Sequence, residues 1–153
     1  MVERLLIALA VLTAVAVTIA LGQRWYAWRN ARIEARLRAD SADEQVAVDG
    51  PRIVYFTTET CVVCRAQQEP AIAAVLERIG STLRVERHDA IEDRTLADRY
   101  GVLTVPTTAV YDAAGELVTV NRGFAPAALL LAQLRGDSPA FEGGVAMSSE
   151  PVA

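Results

Sequence analysis

The chain has 153 residues, 52% of them hydrophobic, with two cysteines, one histidine and a formal net charge of −4. That length holds one modest domain with extras. Both cysteines lie in one tetrapeptide, which excludes a disulfide-stapled scaffold, and with the single histidine they are too few for a four-ligand structural zinc site within one chain.

The charge is unevenly divided. Met1 to Ala39 carries six Arg against two Glu, whereas Asp40 to Ala153 carries nine Arg against seventeen acids. A basic segment therefore precedes an acidic globular part. An acidic domain without a basic stripe argues against nucleic acid as a partner. All fifteen basic residues are Arg, a compositional bias that says little about function.

Leu5 to Leu21 is a run of 17 residues without a charge. At about 1.5 Å per residue it spans roughly 26 Å, close to the ~30 Å hydrocarbon core of a bilayer. Thr13 and Thr18 are its only polar residues, and a helix can satisfy both hydroxyls with its own carbonyls. Arg24-Trp25-Tyr26-Ala27-Trp28-Arg29 follows, an aromatic belt beside positive charge. Residues 1–23 are thus expected to form a retained single-pass transmembrane helix in the cell membrane. A cleaved signal peptide is the main rival, but Thr18-Ile19-Ala20 is a poor cleavage site and the leading charge is only Arg4 beside Glu3. A buried core helix is the third reading; the run is apolar all round rather than on one stripe, which disfavours it. Arg24, Arg29, Arg32, Arg36 and Arg38 follow the run, against Arg4 before it. This asymmetry favours a cytoplasmic location for the rest of the chain, a bias that so short an N-tail can override.

Residues 24–50 read as a basic helical extension to Ala39 and then an acidic linker, Asp40 to Gly50, with a short edge strand at Val46 to Val48 as an option. Arg52 to Phe56 is a β-branched and aromatic run, hence a buried strand. Thr57 to Thr60 offers hydroxyls suited to capping a helix. Cys61 to Ile79 has helical spacing, with Pro70 as a kink and Gly80 as the stop. Thr82 to Arg87 alternates as a strand ending at His88-Asp89. Arg94 to Tyr100 is a short helix closed by Gly101. Thr107 to Tyr111 is a strand, Asp112 to Gly115 a turn, and Glu116 to Val120 the hairpin partner. Pro126 to Leu134 is a final helix with proline in its first turn. The domain therefore occupies residues 51–136, and residues 137–153 read as a disordered tail. Strands joined by a helical crossover are expected to be parallel and the terminal hairpin antiparallel, giving an α/β fold with a mixed sheet flanked by helices.

Cys61 and Cys64 stand three residues apart, on one helix face, where they can bridge without backbone rearrangement. If the helix begins at Cys61, its sulfur faces the unpaired N–H groups of the first turn. Those partial positive charges stabilise a thiolate and lower its pKa. Cys64, one turn deeper, suits the resolving of a mixed disulfide. A strand feeding a Cys-x-x-Cys helix is a redox arrangement, although the tetrapeptide alone is only a moderate signal. His88 reads as a strand-end residue, Asp89 and Asp93 as turn and cap residues.

Ile53-Val54-Tyr55-Phe56, Cys61-Val62-Val63-Cys64, Pro70, Val85 to Asp89, Tyr100 to Thr107 and Gly123 together resemble the thioredoxin family, over about Pro51 to Leu134. The most specific part is Val105-Pro106-Thr107. The resemblance implies a thioredoxin-like fold, a cis Pro106 lying against the active-site disulfide, and a Val105 backbone offered to the substrate chain. It also implies Cys61 and Cys64 as the catalytic, redox-active pair, with no cofactor and no metal. The sequence departs from the family in Thr60 before the first cysteine and Val62-Val63 between the two. Tyr55 stands where the family carries a buried Asp. These departures leave the direction of electron flow open.

The leading function is a membrane-anchored thiol–disulfide oxidoreductase. Its expected partners are protein disulfides or dithiols, a donor or acceptor that recycles the pair, and the membrane. The alternatives are a non-catalytic binding module or redox sensor docked on a membrane complex, and metal or cluster binding by paired motifs from two copies.

Overall fold

The computed structural model describes residues 2–43 and 50–136. The optional edge strand at Val46 to Val48 and the expected tail lie outside the described residues. The elements in chain order are α1 (Val2–Asp43), β1 (Arg52–Thr57), a π-helical turn (Cys64–Gln68) leading into α2 (Glu69–Ile79), β2 (Arg84–Asp89), α3 (Arg94–Tyr100), β3 (Thr107–Tyr111), β4 (Leu117–Arg122) and α4 (Ala127–Leu134). The four strands form one mixed sheet in the order β2-β1-β3-β4.

β1 and β2 are parallel, as a helical crossover requires, and β3 and β4 form the antiparallel hairpin. β3 departs from expectation: although a helix precedes it, it runs antiparallel to β1. The reason is length. α3 has seven residues, too short to carry the chain back along the sheet, so β3 starts at the end where β2 finished. β2 itself starts two residues later than Thr82, because Gly80–Thr82 form a 3₁₀ turn.

Alternation along β1 builds two cores. Ile53 and Tyr55 point to one face and join Cys64, Ile72, Val75, Val110 and Leu130 beneath α2 and α4. Val54 and Phe56 point to the other face and join Ala97, Tyr100, Ala109, Tyr111 and Leu37. A sheet covered on both faces explains why β1 and β3 are almost continuously apolar or uncharged.

Leu37 belongs to α1. The apolar N-terminal helix does not stop at the end of its apolar run, nor at Ala39; it continues unbroken to Asp43, and its C-terminal turns cover one face of the sheet. Ile33 and Leu37, one turn apart, enter the second core. Glu34 pairs with Arg122 on β4 at 3.2 Å, and Arg38 donates to the carbonyls of Leu117 and Val118, both at 3.2 Å. Asp40 receives a hydrogen bond from Arg99 at 3.0 Å. Upstream, none of the most apolar 18-residue window of α1 is buried. Thr13 and Thr18 return their hydroxyls to carbonyls three or four residues back, so the exposed helix leaves neither unpaired. Among the described residues, this helix alone is long and apolar enough to cross a membrane.

Candidate redox site

The site forms where β1 ends. After Thr57 the chain turns, and the Cys61 N–H donates to the Thr58 carbonyl at 3.1 Å. Helical residues begin at Val62. Cys61 thus occupies the N-cap position: its carbonyl accepts from the Arg65 N–H at 3.4 Å, and its sulfur accepts the Cys64 N–H at 3.1 Å. That is the pattern a capping Ser or Thr makes with the third residue of a helix. The threonines expected to cap do not; the Thr57 hydroxyl bonds to the Thr58 carbonyl at 3.4 Å instead. The cap is the cysteine itself.

The two sulfurs are joined, at 2.04 Å, with Cα atoms 5.3 Å apart. Their surroundings differ. Cys64 is 0% exposed and belongs to the first core, whereas Cys61 is only partly buried at its edge. Val62 and Val63, between them, face solvent.

Pro70 has its effect upstream of its own position. It has no N–H for the Ala66 carbonyl and its ring crowds that turn. The helix widens before it: the Glu69 N–H reaches back five residues to the Cys64 carbonyl, the π form that commonly marks functional sites. Where the sequence suggests a kink, the structure has a π turn starting at Cys64. Gln68 closes this turn. It is fully buried, and its amide bonds the Ala125 backbone both ways, donating to the carbonyl at 3.1 Å and accepting from the N–H at 2.9 Å. Sequence reasoning missed Gln68 because a glutamine defaults to the surface. The available signal was its spacing of four from both Cys64 and Ile72.

The Val105–Pro106 peptide bond is cis. Pro106 directly precedes β3, its carbonyl accepts the Gly123 N–H at 2.8 Å, and Val105 packs against the same core as Cys61 and Cys64. The structure therefore brings Cys61, Cys64 and Val105 together, with Pro106 at the same end of the sheet.

Other singled-out residues serve elsewhere. His88 lies on edge strand β2, its Nδ1 2.8 Å from Asp93 Oδ2. Asp93 stands at the head of α3 but spends its carboxylate on that pair rather than on a cap. The Asp89 carboxylate accepts the Ile91 and Glu92 N–H groups, at 2.7 and 3.3 Å, and shapes the turn. Tyr55 is buried in the core that holds Cys64, and burial pushes its phenol above the ordinary value. Among the described residues, no cluster of three or more His, Cys, Asp or Glu is arranged to hold a metal.

The thioredoxin family model matches residues 34–135. The chain belongs to the thioredoxin family. The match takes in the end of α1 as well as the sheet. A thioredoxin from Streptomyces clavuligerus is 35% identical over 81 residues, which is 53% of this chain and 73% of that protein. One from Porphyra purpurea is 28% identical over 92 residues, 60% of this chain and 84% of its own. Among solved structures, a thioredoxin variant from Halobacterium salinarum superposes with a TM-score of 0.51 at 24% identity, over 64% of this chain and 83% of its own. A malaria-parasite thioredoxin-2 gives 0.53 at 17% identity, over 59% and 85%. These neighbours share the fold. A thioredoxin domain with two cysteines at bonding distance supports thiol–disulfide redox function.

Proposed function

We propose that this chain is a single-pass, membrane-anchored thiol–disulfide oxidoreductase. The observation that carries the reading is the inequality of the two cysteines: Cys61 caps a helix at the surface edge of the core, and Cys64 is fully buried behind it. The Cys64 N–H directed at the Cys61 sulfur, in the first turn of the helix, favours its thiolate. The thiolate attacks one sulfur of a substrate disulfide; a mixed disulfide forms and the substrate's other sulfur leaves, taking a proton from water. Cys64 gives its proton to solvent and attacks the Cys61 sulfur. The mixed disulfide breaks, the substrate leaves as a dithiol, and the pair is left oxidised. Two electrons have passed to the substrate. The same steps in reverse oxidise a dithiol. A second protein dithiol or disulfide resets the pair, and no cofactor enters. The Val105 backbone and Pro106 border the place for the substrate chain.

Residues 1–23 are the anchor in this reading. The redox domain extends to residue 136 and takes in the last turns of α1. Five Arg after the apolar run favour a cytoplasmic domain.

Turnover of a protein disulfide such as insulin tests the chemistry. The wild type should reduce it catalytically with a dithiol supply, and Cys61→Ser should not. Equal rates for the two would leave a binding module as the better account. Alkaline carbonate washing should leave the chain in the membrane fraction with residues 1–21 intact. Protease added to intact spheroplasts should spare the domain; digestion there would reverse the orientation.

A further inference from the structure

The path of α1 fixes which end of the domain looks at the membrane. Register places Phe56, Thr107 and Arg122 at one end of the sheet, and Arg52, Tyr111 and Leu117 at the other. The first end carries Cys61 and Pro106. Along α1, Glu34 pairs with Arg122, at the cysteine end, and Arg38, one turn later, bonds Leu117 and Val118, at the far end. Asp40 then meets Arg99. The helix therefore enters the domain at the cysteine end and runs away from it. Followed backwards, the same unbroken helix leaves the cysteine end and goes straight into the apolar run. Leu21 to Ile33 is twelve residues, about 18 Å of helix, and half-burial begins earlier still, at Arg29 and Asn30.

A second observation concerns the same end. Among the described residues from Gly50 onward, six large apolar side chains are exposed: Val62, Val63, Leu76, Ile91, Leu103 and Phe124. Five of them, all but Leu76, lie at the cysteine end. Ile91 follows Asp89, which pairs with Thr57; Leu103 precedes Pro106; Phe124 follows Gly123, which bonds Pro106. The far end offers instead the hairpin turn Asp112–Gly115, built of small residues and one acid and without an exposed large apolar side chain.

We propose that the cysteine end is turned back toward the bilayer, and that the partner is an integral membrane protein presenting its disulfide or dithiol on an apolar segment close to the membrane surface. This rests on the anchor reading. A chain-borne helix without a break holds the pair at a set height, and the five apolar side chains match an apolar segment better than a soluble polar loop. The exchange is the one given above; α1 determines what can reach it.

The full chain in vesicles tests the geometry. In a Cys61→Ser/Cys64→Ser background, a single fluorophore is attached through Leu103→Cys or through Ala113→Cys, and energy transfer to a headgroup-labelled lipid is measured. The two positions are separated by about one strand length, roughly 20 Å. Transfer should be the stronger from position 103. Flotation with vesicles but equal or reversed transfer overturns the proposal and leaves the anchor standing; failure to float overturns the anchor and the proposal together.

The partner is tested in cells with Cys64→Ser, which retains mixed disulfides. The captured proteins should resist carbonate extraction. Seven alanines inserted between Ala27 and Trp28 raise the domain by about 10 Å with little rotation. That insertion should abolish most of the capture while insulin reduction by the inserted wild-type pair is unchanged. Soluble captured proteins, or capture indifferent to the insertion, would overturn the assignment of the partner.

Discussion

Ile33 occupies the space that a side chain at residue 101 would need. A Cβ built on Gly101 collides with Ile33 Cδ1, and Gly101 itself has φ +63°, left-handed backbone that ends α3. The C-terminal part of α1 and the loop leading to Pro106 thus approach as closely as glycine allows.

Gly101→Ala should therefore cost about 2–4 kcal/mol, from the left-handed backbone and from overpacking together. Ile33→Val removes the colliding methyl and should cost only about 1 kcal/mol alone. The double variant should lose less than the sum of the two. Denaturant unfolding of the four proteins measures the coupling; strict additivity would mean that the helix relaxes away from the loop freely.

The cysteines should differ as nucleophiles once reduced. Cys61 should react with iodoacetamide well below the unperturbed thiol pKa of about 8.5, and buried Cys64 slowly. Cys64→Ser should accumulate mixed disulfides, and Cys61→Ser almost none. Equal alkylation rates or equal trapping would remove the nucleophile and resolver roles.

Asn121 and Gln133 form a closed amide pair, both 0% exposed, with reciprocal hydrogen bonds of 2.9 and 2.8 Å. Asn121→Ala should destabilise by about 2–4 kcal/mol, because the Gln133 amide is left buried without its partner. Asn121→Leu combined with Gln133→Leu should cost less than the sum of the single changes. Urea unfolding supplies the comparison.

Stability should fall in alkali. Tyr111 is buried and hydrogen-bonded to Tyr100 at 2.7 Å; burial first, and that bond second, push its phenol far above the ordinary value of 10.0. The unfolded chain ionises near 10.0 and the folded one does not, so stability is intact below pH 10 and declines above it. Each such group removes up to about 1.4 kcal/mol per pH unit there. Tyr111→Phe should flatten the decline without erasing it, since Tyr55 is shifted in the same direction. Unfolding at pH 8, 10 and 11 decides this; identical slopes would refute it.

The strands and α3 were legible because their signals are local. β-branched and aromatic runs mark β1 and β3, and Gly101 closes α3 at the residue expected. The cysteine pair and Pro106 were legible through spacing and resemblance. The docking of α1 was not. Its only marks are Ile33 and Leu37, four apart among arginines, and two apolar residues do not reveal which surface they meet. Gln68, Asn121 and Gln133 escaped because a buried amide is chosen by its partner, which lies far along the chain. The π turn escaped because proline predicts a disturbance without saying what form it takes.

That π turn has a consequence for chain length. It places one residue more between Cys64 and α2 than a regular helix would hold. The Glu69 N–H takes the Cys64 carbonyl from five residues on, so the wide turn absorbs that residue and Cys64 keeps its phase relative to Ile72 and Val75. The same residues wound as ordinary α-helix would roll the start of the helix by about 100°. Cys64 would swing off the core and Cys61 off the sheet end. The width of the turn before Pro70 is therefore a phase setting for the sulfurs, one that a sequence can lose while keeping every residue of the motif.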